Sequence, residues 1–174
     1  MGFDQRLPFG KAAETAIGLY LRGRGFSVLP IYERTDDEKK GPQLYRSGRP
    51  LIAPDMLVYR RSDVYWIEAK HKTAFSWHRL SQSWVTGIDQ RHYVDYLELL
   101  TESPWPVWLF FLHRGGQAKD SPGDSPAGLF GNDLSVLRDC VNHRHHGWGS
   151  SGMIYWAIGN LRLIAPLAEL ERLL

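Results

Sequence analysis

The chain has 174 residues, 43% hydrophobic and 23% charged, which is the composition of a globular protein with enough length for one domain over 1–174 and a substantial core. Its formal net charge of +2 excludes a bulk polycation, so any nucleic-acid surface has to be local. Cys140 is the only cysteine, which excludes an intrachain disulfide, and no stretch reaches membrane-spanning length or forms an apolar leader after Met1; a cytoplasmic protein without a membrane partner is expected.

The first predicted element is a helix from about Phe9 to Arg22, with Pro8 in its first turn and Gly23 and Gly25 ending it. Glu14 shares a side with Ile17, Gly18 and Leu21. A carboxylate on the flank of an apolar stripe either reaches water at the boundary or is received by something inside. A strand is predicted over Phe26–Tyr32. The stretch from Glu33 to Pro50, with Asp36-Asp37-Glu38-Lys39-Lys40, Arg46 and Arg49, reads as a solvated loop. Its place just before the next strand also suits an arm that touches substrate.

Leu51–Tyr59 and Val64–Lys70 are apolar, aromatic and β-branched, and Arg60-Arg61-Ser62-Asp63 breaks them. A turn centred between Arg61 and Ser62 makes a hairpin in which Tyr59 faces Val64, Leu57 faces Trp66 and Asp55 faces Glu68. Such opposed side chains lie roughly 4.5–5.5 Å apart at Cβ. Two carboxylates there repel each other, and an apolar sheet has no structural use for them. A hard divalent cation reverses the sign of that interaction, because it takes oxygen ligands. Strand alternation returns Lys70 to the face of Glu68. Both faces of the hairpin are apolar, with Met56, Val58, Tyr65 and Ile67 opposite the carboxylates. That pattern predicts a sheet covered by helices on both sides.

His71 to Arg79 follows as a basic and aromatic linker, whose His71, Lys72 and Arg79 are candidate substrate contacts because cations neutralise phosphates and rings stack on bases. His71 is also a candidate for proton transfer. A helix is predicted from about Asp89 to Leu100, its stripe made by Tyr93, Tyr96, Leu97 and Leu100, with Gln90 and Tyr93 on one face. Pro106–Leu112 fits a buried strand. Arg114–Gly131, rich in Gly, Pro and Ser, reads as a flexible loop, and Asn132 or Asp133 caps a short helix through Val141. Cys140, His143, His145 and His146 are zinc-type ligands at a spacing that fits no ordinary structural site, so an exposed histidine-rich loop is expected. A late hairpin around Gly159-Asn160 and a terminal helix over Ala165–Leu174 complete the reading.

Pro54-Asp55, twelve intervening residues and Glu68-Ala69-Lys70 resemble the PD-(D/E)xK motif of the restriction-endonuclease-like nuclease superfamily in both spacing and hairpin placement. The resemblance is tight over Asp55–Lys70 and looser from about Lys11 to Leu100. It implies a three-layer α/β/α sandwich with a central mixed sheet, and a metal-dependent nuclease using Mg2+ or Mn2+. Asp55 and Glu68 would hold the ion with the Ala69 carbonyl, and Glu14 corresponds to a first-helix glutamate that often joins them. Lys70 would orient or help deprotonate the attacking water and stabilise charge on the phosphoryl oxygens. Gln90 and Tyr93 match a Gln/Tyr pair that several branches carry on the following helix, positioning the lysine or the substrate. The expected substrate is nucleic acid, most of all DNA, branched or structured forms included, and symmetric cutting of two strands would call for a homodimer. Two alternatives stand: a non-catalytic nucleic-acid-binding or assembly module that keeps the fold, and another α/β enzyme in which Glu-x-Lys is incidental.

Overall fold

The computed structural model describes residues 3–31, 42–147 and 151–173, with the side chains of the first helix from Lys11 onward. The run Asp36–Lys40 and its neighbours Tyr32 to Gly41 lie outside the described residues, so the substrate-arm expectation for them has no structural counterpart here.

In chain order the elements are α1 (Phe3–Gly23), β1 (Ser27–Pro30), β2 (Gln43–Leu44), β3 (Leu51–Ile52), β4 (Met56–Arg60) and β5 (Asp63–Lys72). Then come β6 (Ser76–His78), β7 (Ser83–Asp89), α2 (Gln90–Glu102), β8 (Val107–His113), β9 (Gly116–Gln117) and β10 (Asp124–Ser125). β11 (Gly128–Asp133), α3 (Leu134–Leu137), β12 (His143–His145), β13 (Met153–Ala157), β14 (Arg162–Ala165) and α4 (Leu167–Glu171) complete the chain.

α1 stops where the sequence places its glycines. Gly25 takes a positive φ of 83°, and the Phe26 and Gly25 amides donate to the Leu21 and Arg22 carbonyls, which closes the helix in a Schellman motif. The chain then enters a six-stranded sheet of order β1-β4-β5-β8-β11-β14, antiparallel throughout except where β5 runs parallel to β8. The β4–β5 hairpin has the predicted register, with Leu57 opposite Trp66 and Tyr59 opposite Val64 around Arg61 and Ser62.

Both faces of this sheet are buried. Met56, Val58, Ile67 and Ala69 pack with Ala13, Ile17 and Leu21 of α1 and Leu170 of α4. Trp66, Leu109 and Phe111 pack on the opposite side with Tyr93, Tyr96 and Leu99 of α2 and Leu134 and Leu137 of α3. The expected mixed sheet with flanking helices is therefore present, and the near-continuous apolar sequence of the hairpin follows from double-sided burial.

On the α2 side the cover also includes a four-stranded antiparallel sheet, order β12-β13-β7-β6, which adds Ile88, Ile154 and Trp156 to that core. This sheet corrects three expectations. The supposed linker His71–Arg79 is partly the end of β5 and partly β6, paired to β7 across the Trp77–Trp84 ring contact; its basic residues mask the alternation. The late hairpin does not exist, because β13 joins the smaller sheet while β14 pairs with β11, a 3-10 turn over Ile158–Asn160 passing the chain between them. The histidine-rich loop contains edge strand β12, with the His143 ring stacked between Tyr155 and His78. A fourth correction concerns Arg114–Gly131, which holds the β9–β10 hairpin and the interior strand β11. A Cβ at Gly131 would lie 2.5 Å from the Phe110 ring, so the residue that makes this strand look like loop is what lets it approach β8.

The segment ahead of β4 is fastened to α2. Asp95, buried, accepts the Ile52 amide at 2.8 Å and the Arg49 guanidinium at 2.7 Å, while Arg46 pairs with Glu98 and Glu102. No helix among the described residues is long and apolar enough to cross a membrane.

Candidate active site

Asp55 occupies a bend between Pro54 and the first residue of β4. Its carbonyl accepts the Ile31 amide at 2.8 Å, and its Oδ2 accepts the Ala69 amide, also at 2.8 Å. These two bonds hold the aspartate against β5 just past the end of the ladder, level with Glu68. Glu68 itself is 1% exposed. The Tyr96 hydroxyl donates to its Oε2 at 2.5 Å, Lys70 Nζ pairs with its Oε1, and His92 Nδ1 stands 3.6 Å from the same oxygen. Tyr96 and His92 are a turn apart on α2, with Nδ1 3.3 Å from the hydroxyl.

The two carboxylates differ in charge state. Burial, and then the neighbouring Glu68, push the Asp55 carboxyl up to about 8, with Glu14 adding to the rise. Burial also acts to raise Glu68, but Lys70 and then His92 overcome it and hold that carboxyl down at about 2. Lys70 is desolvated too, yet Glu68 and Asp55 outweigh this and bring the ammonium up to about 12. Burial, followed by Glu68, keeps the Tyr96 phenol well above its usual range. The site therefore holds a fixed Glu68–Lys70 ion pair beside an aspartate that cannot easily ionise without another cation.

That imbalance fits a divalent ion. Among the described residues no group of three or more His, Cys, Asp and Glu side chains is arranged as a metal site. A hard cation does not need one, because two carboxylates leave positions for main-chain, water and phosphate oxygens.

The sequence-derived candidates are distributed unevenly. Asp55, Glu68, Ala69 and Lys70 converge. Glu14, half-buried on α1, acts electrostatically on both Asp55 and Lys70. Lys72 lies beyond Lys70 on β5, and burial together with Lys70 lowers its ammonium to about 8. His71, on the opposite face of the strand, accepts the Arg114 Nε hydrogen at 3.2 Å. Exposed Arg79 is in the β6–β7 turn and pairs with Asp120. Gln90 begins α2 and donates its amide to the Gly152 carbonyl at 2.8 Å.

Tyr93 is a correction. It is a core residue, 4% exposed, with its ring 5.8 Å from that of Trp156. The α2 side chains that touch Glu68 are Tyr96 and His92, which the sequence reading passed over. Their i, i+4 spacing on the helix following the Glu-x-Lys strand was the available signal.

A mixed sheet flanked by helices, with Pro54-Asp55 and Glu68-Ala69-Lys70 on one of its hairpins, is a restriction-endonuclease-like fold. Among solved structures, the chain is similar to Hjc of Archaeoglobus fulgidus, a Holliday junction resolvase from an archaeal hyperthermophile, at a TM-score of 0.52 and 10% identity over 92% of this chain and 98% of that one. The resemblance to the PD-(D/E)xK superfamily is thus borne out at the level of fold. No family model and no curated protein matches the sequence.

Proposed function

We propose that this protein is a metal-dependent nuclease that hydrolyses phosphodiester bonds in DNA, with branched DNA the first substrate class to test. The observation that carries the reading is the convergence of Asp55, Glu68 and Lys70 on one hairpin end, with Asp55 pushed to about 8 by burial and by the charge of Glu68. The similarity to a junction resolvase supports the choice of branched DNA.

A magnesium or manganese ion held by Asp55, Glu68 and the Ala69 carbonyl, with Glu14 close by, would supply neutralisation of the scissile phosphate and a more acidic bound water. Lys70, kept cationic by Glu68, donates hydrogen bonds to a phosphoryl oxygen and stabilises the charge that grows there; it is too basic to take a proton from water at neutral pH. Tyr96 and His92 keep Glu68 in place and ionised, so that its position is set before substrate arrives. Gln90, His71 and Arg79 belong to the proposed approach surface for the nucleic-acid backbone, and two copies acting together would cut both strands of a symmetric junction.

The test is cleavage of a labelled four-way junction, a linear duplex and a single strand, with magnesium, with manganese and with chelator, by wild type and Asp55→Asn. The reading requires cutting that needs the metal and disappears in Asp55→Asn. Failure to cut any of the three, or equal cutting by the variant, overturns it.

A further inference from the structure

β5 carries Glu68, Lys70 and Lys72 at alternate positions, so the pleat turns all three to the same face. Lys70 is committed to Glu68. Lys72 is not matched in this way: among the described residues, no carboxylate lies within ion-pair distance of it. Its neighbours are Lys70 and, directly across the parallel ladder, His113. The His113 ring is fully buried and stacked on Phe75 at 3.6 Å, and burial followed by Lys72 lowers it to about 3, so it is neutral. Lys72 therefore faces a second cation and an uncharged imidazole while being only partly open to solvent.

Withdrawing an ammonium from water with no counter-charge costs stability, and a residue needed only for packing would serve better as Met or Leu. The depressed Lys72 ammonium records that cost. The anion this position lacks is one the substrate can bring. Two residues along a strand span roughly 6.7 Å, a step of the size that separates neighbouring phosphates of one nucleic-acid strand.

We propose that Lys72 binds the backbone phosphate next to the scissile one, as a subsite separate from the Asp55–Glu68–Lys70 centre. This rests on the nuclease reading above and adds to it the direction in which the strand runs, along β5 from Lys70 towards its carboxyl end. The contact is made to ground and transition states alike, so it belongs to affinity and not to turnover.

The experiment places Lys72→Met and Lys72→Arg in the Asp55→Asn background and follows binding of a labelled four-way junction by anisotropy over a salt series. Lys119→Met, at an exposed lysine, is the control. Loss of one phosphate contact lowers the slope of log K against log salt by about 0.9, equally for unrelated sequences, and Lys72→Arg keeps the slope. In the cleavage-competent protein Lys72→Met raises KM with kcat retained. The same variant melts at higher temperature than its parent, because an unpaired charge has been removed. An unchanged salt slope, or a lowered melting temperature with unchanged binding, makes Lys72 a structural residue and overturns the proposal while leaving the nuclease reading in place. A parent protein that neither binds nor cuts DNA overturns both.

Discussion

Tyr96 donates its hydroxyl hydrogen to Glu68 Oε2 at 2.5 Å, and both residues are almost wholly buried. This bond joins α2 to β5 and connects the helix that covers the sheet to the strand that carries the site. Hydrogen bonds to charged partners contribute roughly 1.5–3 kcal/mol, so Tyr96→Phe should lower stability by about that amount. Urea unfolding gives the stability change and calorimetric titration with manganese gives the accompanying loss of ion affinity. A variant as stable as wild type, binding manganese equally well, would show that Glu68 is held without the phenol.

The two carboxylates should leave opposite marks on the pH dependence of stability. Asp55 titrates near 8 in the folded chain against an ordinary value of 3.8, so between those limits the native state keeps a proton that the unfolded chain has lost. Stability from this group therefore falls as pH rises from about 4 to about 8, by an amount on the order of a few kcal/mol. Asp55→Asn should flatten that limb. Manganese at pH 8 should raise the melting temperature of wild type far more than that of the variant. Glu68 runs the other way: its contribution is present above 4.5 and is lost as pH falls towards about 2. Thermal melts across pH, with and without the ion, measure both limbs, and a wild-type profile that rises from pH 5 to 8 would contradict the Asp55 environment.

Removing Lys70 should damage the fold as well as the chemistry. Its ammonium is the cation nearest a fully buried Glu68, and breaking such a pair from one side costs roughly 3–5 kcal/mol. Lys70→Met should therefore be inactive and less stable, whereas Lys70→Met combined with Glu68→Gln should recover much of the stability and none of the cutting. Chemical denaturation of the two proteins decides the matter. If the single variant is no weaker than the double, the pair is not a buried one.

Asp95 makes a case for positioning at a distance. It accepts the Ile52 amide and the Arg49 guanidinium, and Ile52 is only three residues ahead of Asp55. Asp95→Ala leaves a buried amide without its acceptor and should cost about 2 kcal/mol, with cutting reduced because the Pro54–Asp55 bend loses its tether. Arg49→Ala removes only an exposed, solvent-screened partner and should cost clearly less than Asp95→Ala. Equal effects from the two substitutions would place the tether in the salt bridge and not in the Ile52 bond.

The parts of this molecule that could be read from sequence are those whose partners are close in the chain. Arg61 and Ser62 fix the hairpin, and the hairpin fixes which side Asp55, Glu68 and Lys70 share. Gly25 ends α1 because the backbone there needs a left-handed turn. The smaller sheet was hidden because β7 finds its partner in distant β13, at a crossing so close that a Cβ on Gly87 would lie 2.1 Å from the Ile154 carbonyl oxygen. β11 was hidden for a related reason, its glycines serving close packing and not a turn. Tyr96 looked like one more apolar residue on the α2 stripe, since periodicity reports burial and says nothing of the hydroxyl that burial obliges to find an acceptor.

The parallel pairing of β5 with β8 bears on which stretches of the chain build the site. The β4–β5 hairpin closes over two residues, whereas β8 can dock only after β6, β7 and α2 have been threaded between them. The contacts that oppose Asp55 to Glu68 are thus local in the chain, whereas the sheet that encloses them is closed by a strand more than thirty residues further on. The acidic pair and its enclosure therefore depend on different parts of the sequence, and a change in β8 can alter the second without touching the first.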